Sequence, residues 1–251
     1  MMPAVPDFGP LDVSDFTVGA MLRAGIALRR ALRECRTLES AAVTVVRYFH
    51  ERCVDIESGA RSCPLVRFYK THPYRALEPE LQQFAARQLG AVAPSPEMRC
   101  LTLLGTAGEE PAWNSRHLSK GHRVIPLASA EAVHGAPMIA RLIEDLGLDI
   151  ESIIHGSEVT VRSTEARTYD VFHVEQALGS PVIPAQDEFV IPYAIRSVVG
   201  FGGVLRSGEL FAVILFSRAP IPVASAHRFR TIALDIRSAV FPIDEAHTWN
   251  E

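Results

Sequence analysis

Leu38, Ala41, Ala42, Val45, Val46, Phe49 and Cys53 recur at the spacing that gathers one face of a helix, with polar residues between them on the other side. Thr37 stands where an N-cap belongs, so the pattern predicts a helix over 37–53 that packs against a sheet. An earlier helix is read from Ser14 to Cys35. "CPLVRFYKT", Cys63 to Thr71, is branched and aromatic enough for a strand, and Pro79 opens a helix that Gly90 closes. "MRCLTLLGT", from Met98, reads as a second strand. Residues 106 to 136 show little periodicity and form a long connection with a short strand at "HRVIPLA". Pro137 and Gly147 bracket a helix with Met138, Ile139, Leu142, Ile143 and Leu146 inward, and "TYDVFHV" at 168 to 174 is a strand. The final helix runs over 223 to 241, gathers Phe229, Ile232, Ala233, Ile236 and Val240 on one face, and stops at Pro242.

Between these lie two strand-like runs, "RSVVGFGGVL" and "ELFAVILFSR", joined across Ser207 and Gly208. Gly200, Gly202 and Gly203 sit inside the first run. A phosphate-cradling loop needs its glycines after a strand and at the start of a helix, whereas here a second strand follows. The stretch is therefore read as a hairpin, with Gly208 supplying a positive φ. Residues 210 to 216 are apolar on both faces, which places that strand centrally in its sheet. Pro181, Pro184 and Pro192 make the approach to it irregular.

Composition narrows the function classes. With 251 residues, 48% of them hydrophobic, the chain can bury one substantial core. The expected organisation is a loosely held arm over 1–13, a single domain over 14–242 and a polar tail over 243–251. The net charge of −4 comes without a Lys/Arg run, which argues against nucleic acid as a partner. The first thirty residues do not read as a leader, and no run approaches the ~18 apolar residues that span a bilayer. A cytoplasmic protein without a membrane partner is expected. Cys35, Cys53, Cys63 and Cys100 lack C-x-x-C spacing and are read as reduced, buried thiols.

Three groups of residues carry candidate chemistry. "EPAWNSRHLSKGHR", 110 to 123, concentrates Trp113, Asn114, Arg116, His117, Ser119, Lys120, His122 and Arg123 in an aperiodic stretch. Such a loop suits an anionic or aromatic ligand, or else a surface connection whose polar groups cap helices. Trp113, Asn114, Arg116, His117, His122 and Arg123 are taken as the candidate ligand-binding residues. "HVEQALGSPVIPAQDEF", 173 to 189, places His173, Glu175, Gln186, Asp187 and Glu188 between strands, where a metal or a general base is conceivable but no spacing fixes one. His50, Cys53 and Cys63 invite a metal or haem, yet Cys53 falls on the apolar helix face and no second ligand is visible. No G-x-S-x-G elbow is present, and Ser119 near His122 lacks a third group. No catalytic residue, metal site or cofactor is assigned.

The last strand, short proline turn and amphipathic helix in "GELFAVILFSRAPIPVASAHRFRTIALDIRSAV" resemble the end of a GAF-like sensory domain. "CLTLLGTAGEEPAWNSRHLSKGHRVIPL", "YDVFHVEQALGSPVIPAQDEFVIPY" and "SVVGFGGVLRSGELFAVILFSR" are similar to a bacterial sensory segment found upstream of PAS, GAF and histidine-kinase modules. The resemblance covers most of residues 38 to 240. It implies an α+β fold with a central, mostly antiparallel sheet and packed N- and C-terminal helices. It also implies a non-catalytic role in bacterial signal transduction of the two-component kind, with a small molecule or a signalling protein as partner. No helical linker, phosphoacceptor histidine block or ATP-binding lobe follows Pro242, so the expectation is either a free-standing sensor-like protein or one whose output a partner supplies. Two alternatives stay open: an interaction domain that forms a homodimer through helices 14–35 and 223–241, and an enzyme with a site built from His173, Asp187 and Glu188.

Overall fold

A computed structural model of the chain describes residues 9–119, 121–155, 171–244 and 248–249. Helix α1 (Val18–Leu32) begins at Thr17, whose hydroxyl accepts from the Ala20 N–H. Helix α2 (Leu38–Arg52) begins at Thr37, and there Thr37 and Ser40 exchange side-chain and backbone hydrogen bonds in a capping box. Strands β1 (Leu65–Pro73), β2 (Arg99–Gly108) and β3 (Val124–Leu127) enclose α3 (Pro79–Leu89) in the chain. Helices α4 (Ala130–His134), α5 (Pro137–Asp145) and α6 (Ile150–His155) lead toward β4 (Val171–Val174). The hairpin of β5 (Ser197–Val204) and β6 (Leu210–Ser217) then feeds α7 (Val223–Val240). Residues 168–170 of the expected fourth strand lie outside the described residues.

All six strands pair antiparallel in the order β3-β2-β1-β6-β5-β4. β6 lies between β1 and β5, the central place that its two apolar faces require. On one face, α1, α2 and α7 cover Val66, Phe68, Leu104, Phe201, Phe211 and Val213. Phe229 of α7 stacks on Phe201 at 5.0 Å and on Phe16 at 4.6 Å. On the other face, α5, α6 and residues 177–195 close over Leu103, Phe172, Val198, Ile214 and Phe216. Strand alternation, with successive side chains on opposite faces, is what sorts these residues into two cores.

Gly105 lets α2 lie directly on β2, since a Cβ there would stand 2.7 Å from the Ala42 carbonyl carbon. Gly208, at φ 79°, turns the hairpin as expected, and the Leu205 N–H donates to the Glu209 carbonyl at 2.8 Å across the turn. α1 leaves Val18, Leu22 and Ile26 exposed, and α7 leaves Leu234 exposed, on the helices where the sequence reading places self-association. Among the described residues no helix is long and apolar enough to cross a membrane.

The described residues nearest the two ends of the chain are anchored to the domain. Residues 1–8 lie outside the described residues, but Leu11 and Val13 are buried, and Leu11 pairs with the backbone of Arg52 and Val54. Burying two aliphatic side chains outweighs the loose character of a proline-rich arm. At the other end, Asp244 is buried, forms an ion pair with Lys70 at 3.2 Å and accepts from the Ser207 N–H at 2.9 Å. The Thr248 carbonyl accepts from the Glu39 N–H, and Trp249 stacks on His72 at 5.2 Å. The segment expected to be a polar tail thus reaches back onto the sheet through one carboxylate and one indole.

Candidate ligand-binding site

β3 pairs with Arg99–Thr102, so among the described residues the outer edge of β2 from Leu103 to Gly108 has no strand beside it. The connection 109–123 fills this edge and sends side chains to both faces of the sheet. Pro111 opens a single 3-10 turn, and the Asn114 side chain closes it by donating to the Gly108 carbonyl at 2.8 Å and accepting from the Gly108 N–H at 3.2 Å. Gly108 is needed because a Cβ there would stand 2.8 Å from Cε3 of Trp113. Trp113 therefore lies over the end of β2 and meets Tyr193 at 4.7 Å and Phe189 at 5.7 Å. Phe189 in turn packs edge-on against Phe216 of β6 at 5.0 Å.

Beneath these rings is a cavity of about 210 Å³, with Leu65, Arg67, Phe216, Ile183 and Ala185 around it and His122 and Glu188 at its mouth. Arg67 is the charged group inside. It projects from β1 on the same face as Leu65 and Tyr69, and its guanidinium donates to the Tyr69 hydroxyl at 3.2 Å and to Ser119 Oγ at 3.5 Å. Among the described residues its buried Nε has no hydrogen-bond partner, and neither has Oγ1 of Thr106, which stands opposite Arg67 in the β1–β2 register. Among the described residues, no carboxylate forms an ion pair with Arg67. Loss of surrounding water, and then the Arg67 guanidinium, push the His122 imidazole below its usual range. His122 and Ala185 both have positive φ, at 58° and 57°. Left-handed backbone at residues other than glycine costs energy and gathers at functional sites, and here two such residues flank one cavity.

The other candidates in this loop point elsewhere. Arg116 crosses to the opposite side, where Nε donates to Glu39 at 2.6 Å, Nη1 donates to Glu78 at 2.7 Å, and the guanidinium covers the Trp249 ring at 4.9 Å. Arg123 reaches α3, donating to Glu80 at 2.8 Å and lying over Phe84 at 5.8 Å. His117 is exposed, and Lys120 lies outside the described residues. The structure thus brings Trp113 and His122 together at the cavity, uses Asn114 to shape the turn that carries Trp113, and separates Arg116, His117 and Arg123 from it.

The 173–189 cluster does not assemble, whereas His50, Cys53 and Cys63 meet in the core as ordinary buried contacts. His173 lies on the helix-covered face beside Val171 and donates to the Ile221 carbonyl at 2.8 Å, while Glu188 stands at the cavity on the opposite face. Burial lowers the His173 pKa, and the bond to Ile221 partly offsets this. Gln186 is spent on local structure, donating to the Ala177 and Ile183 carbonyls and accepting from the Gly179 N–H. Asp187 is exposed. His50 donates to the Cys63 carbonyl at 2.9 Å. The hydrogen-bonded Cys63 thiol beside it, and then burial, push Cys53 well above the usual thiol range, so it behaves as an inert thiol. The four cysteines are buried and free, and among the described residues no His/Cys/Asp/Glu group could hold a metal ion.

A larger open groove of about 820 Å³ runs past Leu178, Ile191, Ile195 and Pro220. Its Arg218 is already engaged by Glu109, at 2.6 and 2.7 Å, and by the Tyr193 carbonyl at 2.9 Å. This bidentate pair ties the 186–195 segment to the start of the loop, and Arg196 and Gln176 also line the groove.

No protein-family model matches the chain, and no curated protein does. Among solved structures, free methionine-R-sulfoxide reductase from Neisseria meningitidis, determined in complex with its substrate, superposes with a TM-score of 0.50 at 9% identity, covering 96% of both chains. The phycoerythrobilin-bound GAF domain of a cyanobacterial phytochrome aligns at 12% identity with a TM-score of 0.41, covering 89% of this chain and 94% of that one. The chain has a GAF-like fold. Its six-stranded antiparallel sheet, with α1, α2 and α7 on one face and the cavity on the other, is the α+β arrangement that the resemblance implies. At these identities the likeness is one of fold.

Arg67 was not among the sequence candidates, although a signal for it exists. In "LVRFYKT" strict alternation puts Leu65, Arg67 and Tyr69 on one face, and Arg67 is the charged residue among them. Once β1 is known to be central, that face must be covered, and a basic side chain there needs an explanation.

Proposed function

We propose that this chain is a sensory or regulatory domain that binds a small molecule in the Arg67–Trp113 cavity and does no chemistry on it. The double role of the loop 109–123 carries the reading. On one side, Trp113, Ser119 and His122 wall or brace the cavity; on the other, Arg116 holds Trp249 near the chain's C-terminus. A ligand that moves this loop acts on the C-terminal segment through Arg116, which is how binding becomes an output. The setting we infer is bacterial signal transduction, on the sequence resemblance to segments that precede kinase modules.

The chain has two tryptophans, Trp113 and Trp249, so Trp249→Phe leaves the cavity residue as sole reporter. Titrating that variant with phenylacetate and with its neutral counterpart 2-phenylethanol is expected to change Trp113 emission saturably with at least one of them. Emission that shows no saturable change with either probe would remove the basis for the binding role.

A further inference from the structure

Resting on that reading, the geometry points to a specific ligand class: a small monoanion, a single carboxylate carried on one aromatic ring, with the carboxylate on Arg67 and the ring among Trp113, Phe189 and Phe216. Three observations converge on it. Arg67 emerges from a central strand into a largely apolar face, and among the described residues its buried Nε has no hydrogen-bond partner. Burying cationic hydrogen-bonding capacity without a counter-charge is costly, and an incoming anion recovers that cost. The unpartnered Thr106 hydroxyl beside it offers a further donor, and a guanidinium fork suits the two oxygens of a carboxylate.

Size and charge set the rest of the molecule. An apolar cavity of about 150 Å³ accepts benzene, so the roughly 210 Å³ available here suits one ring with a short substituent, and a dinucleotide or tetrapyrrole is too large. Walls of tryptophan and phenylalanine favour an aromatic body through offset and edge contacts. Glu188 stands at the mouth, where it repels a second negative charge on the ligand. The same carboxylate disfavours phosphate esters and dicarboxylates, which carry more charge than Arg67 alone compensates.

Calorimetry on the intact wild-type chain, with phenylacetate, 2-phenylethanol and the dianion phenylmalonate, tests the assignment. Phenylacetate is expected to bind about tenfold or more tightly than 2-phenylethanol, as a charge-assisted hydrogen bond gives, and phenylmalonate more weakly than phenylacetate. Arg67→Met is expected to abolish the preference for phenylacetate while 2-phenylethanol still binds, and Glu188→Gln to narrow the penalty on phenylmalonate. The wild-type comparison stands even if Arg67→Met does not fold. Equal wild-type affinity for phenylacetate and 2-phenylethanol overturns the anion class and leaves the binding cavity intact. Binding of neither overturns both the class and the reading on which it rests.

Discussion

Replacing Arg116 by alanine is expected to lower the stability of the folded chain by about 3–5 kcal/mol, the loss typical when one partner of a buried ion pair is removed. Arg116 is 7% exposed and divides its guanidinium between Glu39 at 2.6 Å and Glu78 at 2.7 Å. Glu39, itself 7% exposed, would keep a buried charge that has lost its main counter-ion. The variant also removes the cation over Trp249, worth roughly a further 0.5–2 kcal/mol. Urea unfolding of wild type, Arg116→Ala and Arg116→Ala/Glu39→Gln measures both effects. The double variant is expected to recover part of the loss, because an amide is cheaper to bury than a carboxylate. A single-variant loss below about 1 kcal/mol, the value of an exposed pair, would show that the fork is not the anchor described above.

The second large effect is acid lability centred on His72. Burial, and then the neighbouring Lys70 ammonium, push its pKa from 6.5 down to about 3. Among the described residues neither ring nitrogen makes a hydrogen bond of good geometry, and the ring lies against Trp249. The folded chain therefore holds a neutral imidazole, whereas the unfolded chain takes up a proton as pH falls below 6.5. Since the unfolded state then binds more protons, stability is full above pH 6.5 and drains away as pH falls toward 3. At 1.36 kcal/mol per unit, the fall from 6.5 to 4.5 costs about 3 kcal/mol from this residue. His72→Phe keeps a flat ring against Trp249 and is expected to flatten the wild-type pH dependence by that amount. Parallel pH profiles of the two proteins, measured as urea midpoints, would contradict this account of His72.

The periodic parts of the fold were legible in the sequence. The α2 stripe from Leu38 to Cys53, the Pro137–Gly147 bracket and the turn at Gly208 each have a local physical cause that one sequence displays. Short elements were not legible: α4 and α6, of five and six residues, are too brief to establish a helical period. Contacts near the chain ends are not legible in the sequence because their anchoring is not local. Leu11 is held by the end of α2, and Asp244 is held by Lys70 and Ser207, partners remote in sequence. The loop 110–123 was found by its composition, but composition does not show on which face each side chain falls. Trp113 and His122 went to the cavity, Arg116 and Arg123 to acidic partners on α2 and α3 or at their N-termini. Arg67 became visible only with the sheet order, because a lone basic residue in a strand otherwise reads as a solvent-facing position.

Filling the cavity is expected to be felt at the C-terminal segment. Trp113→Phe keeps an aromatic wall and leaves Trp249 as sole tryptophan, so phenylacetate or 2-phenylethanol added to this variant reports on the far side of the loop. Trp249 emission is expected to move to longer wavelength as the probe saturates, because a displaced Arg116 loosens the indole from His72 and admits water. Unchanged Trp249 emission in a variant that calorimetry shows to be saturated would contradict it, leaving a binding cavity with no line to the C-terminus.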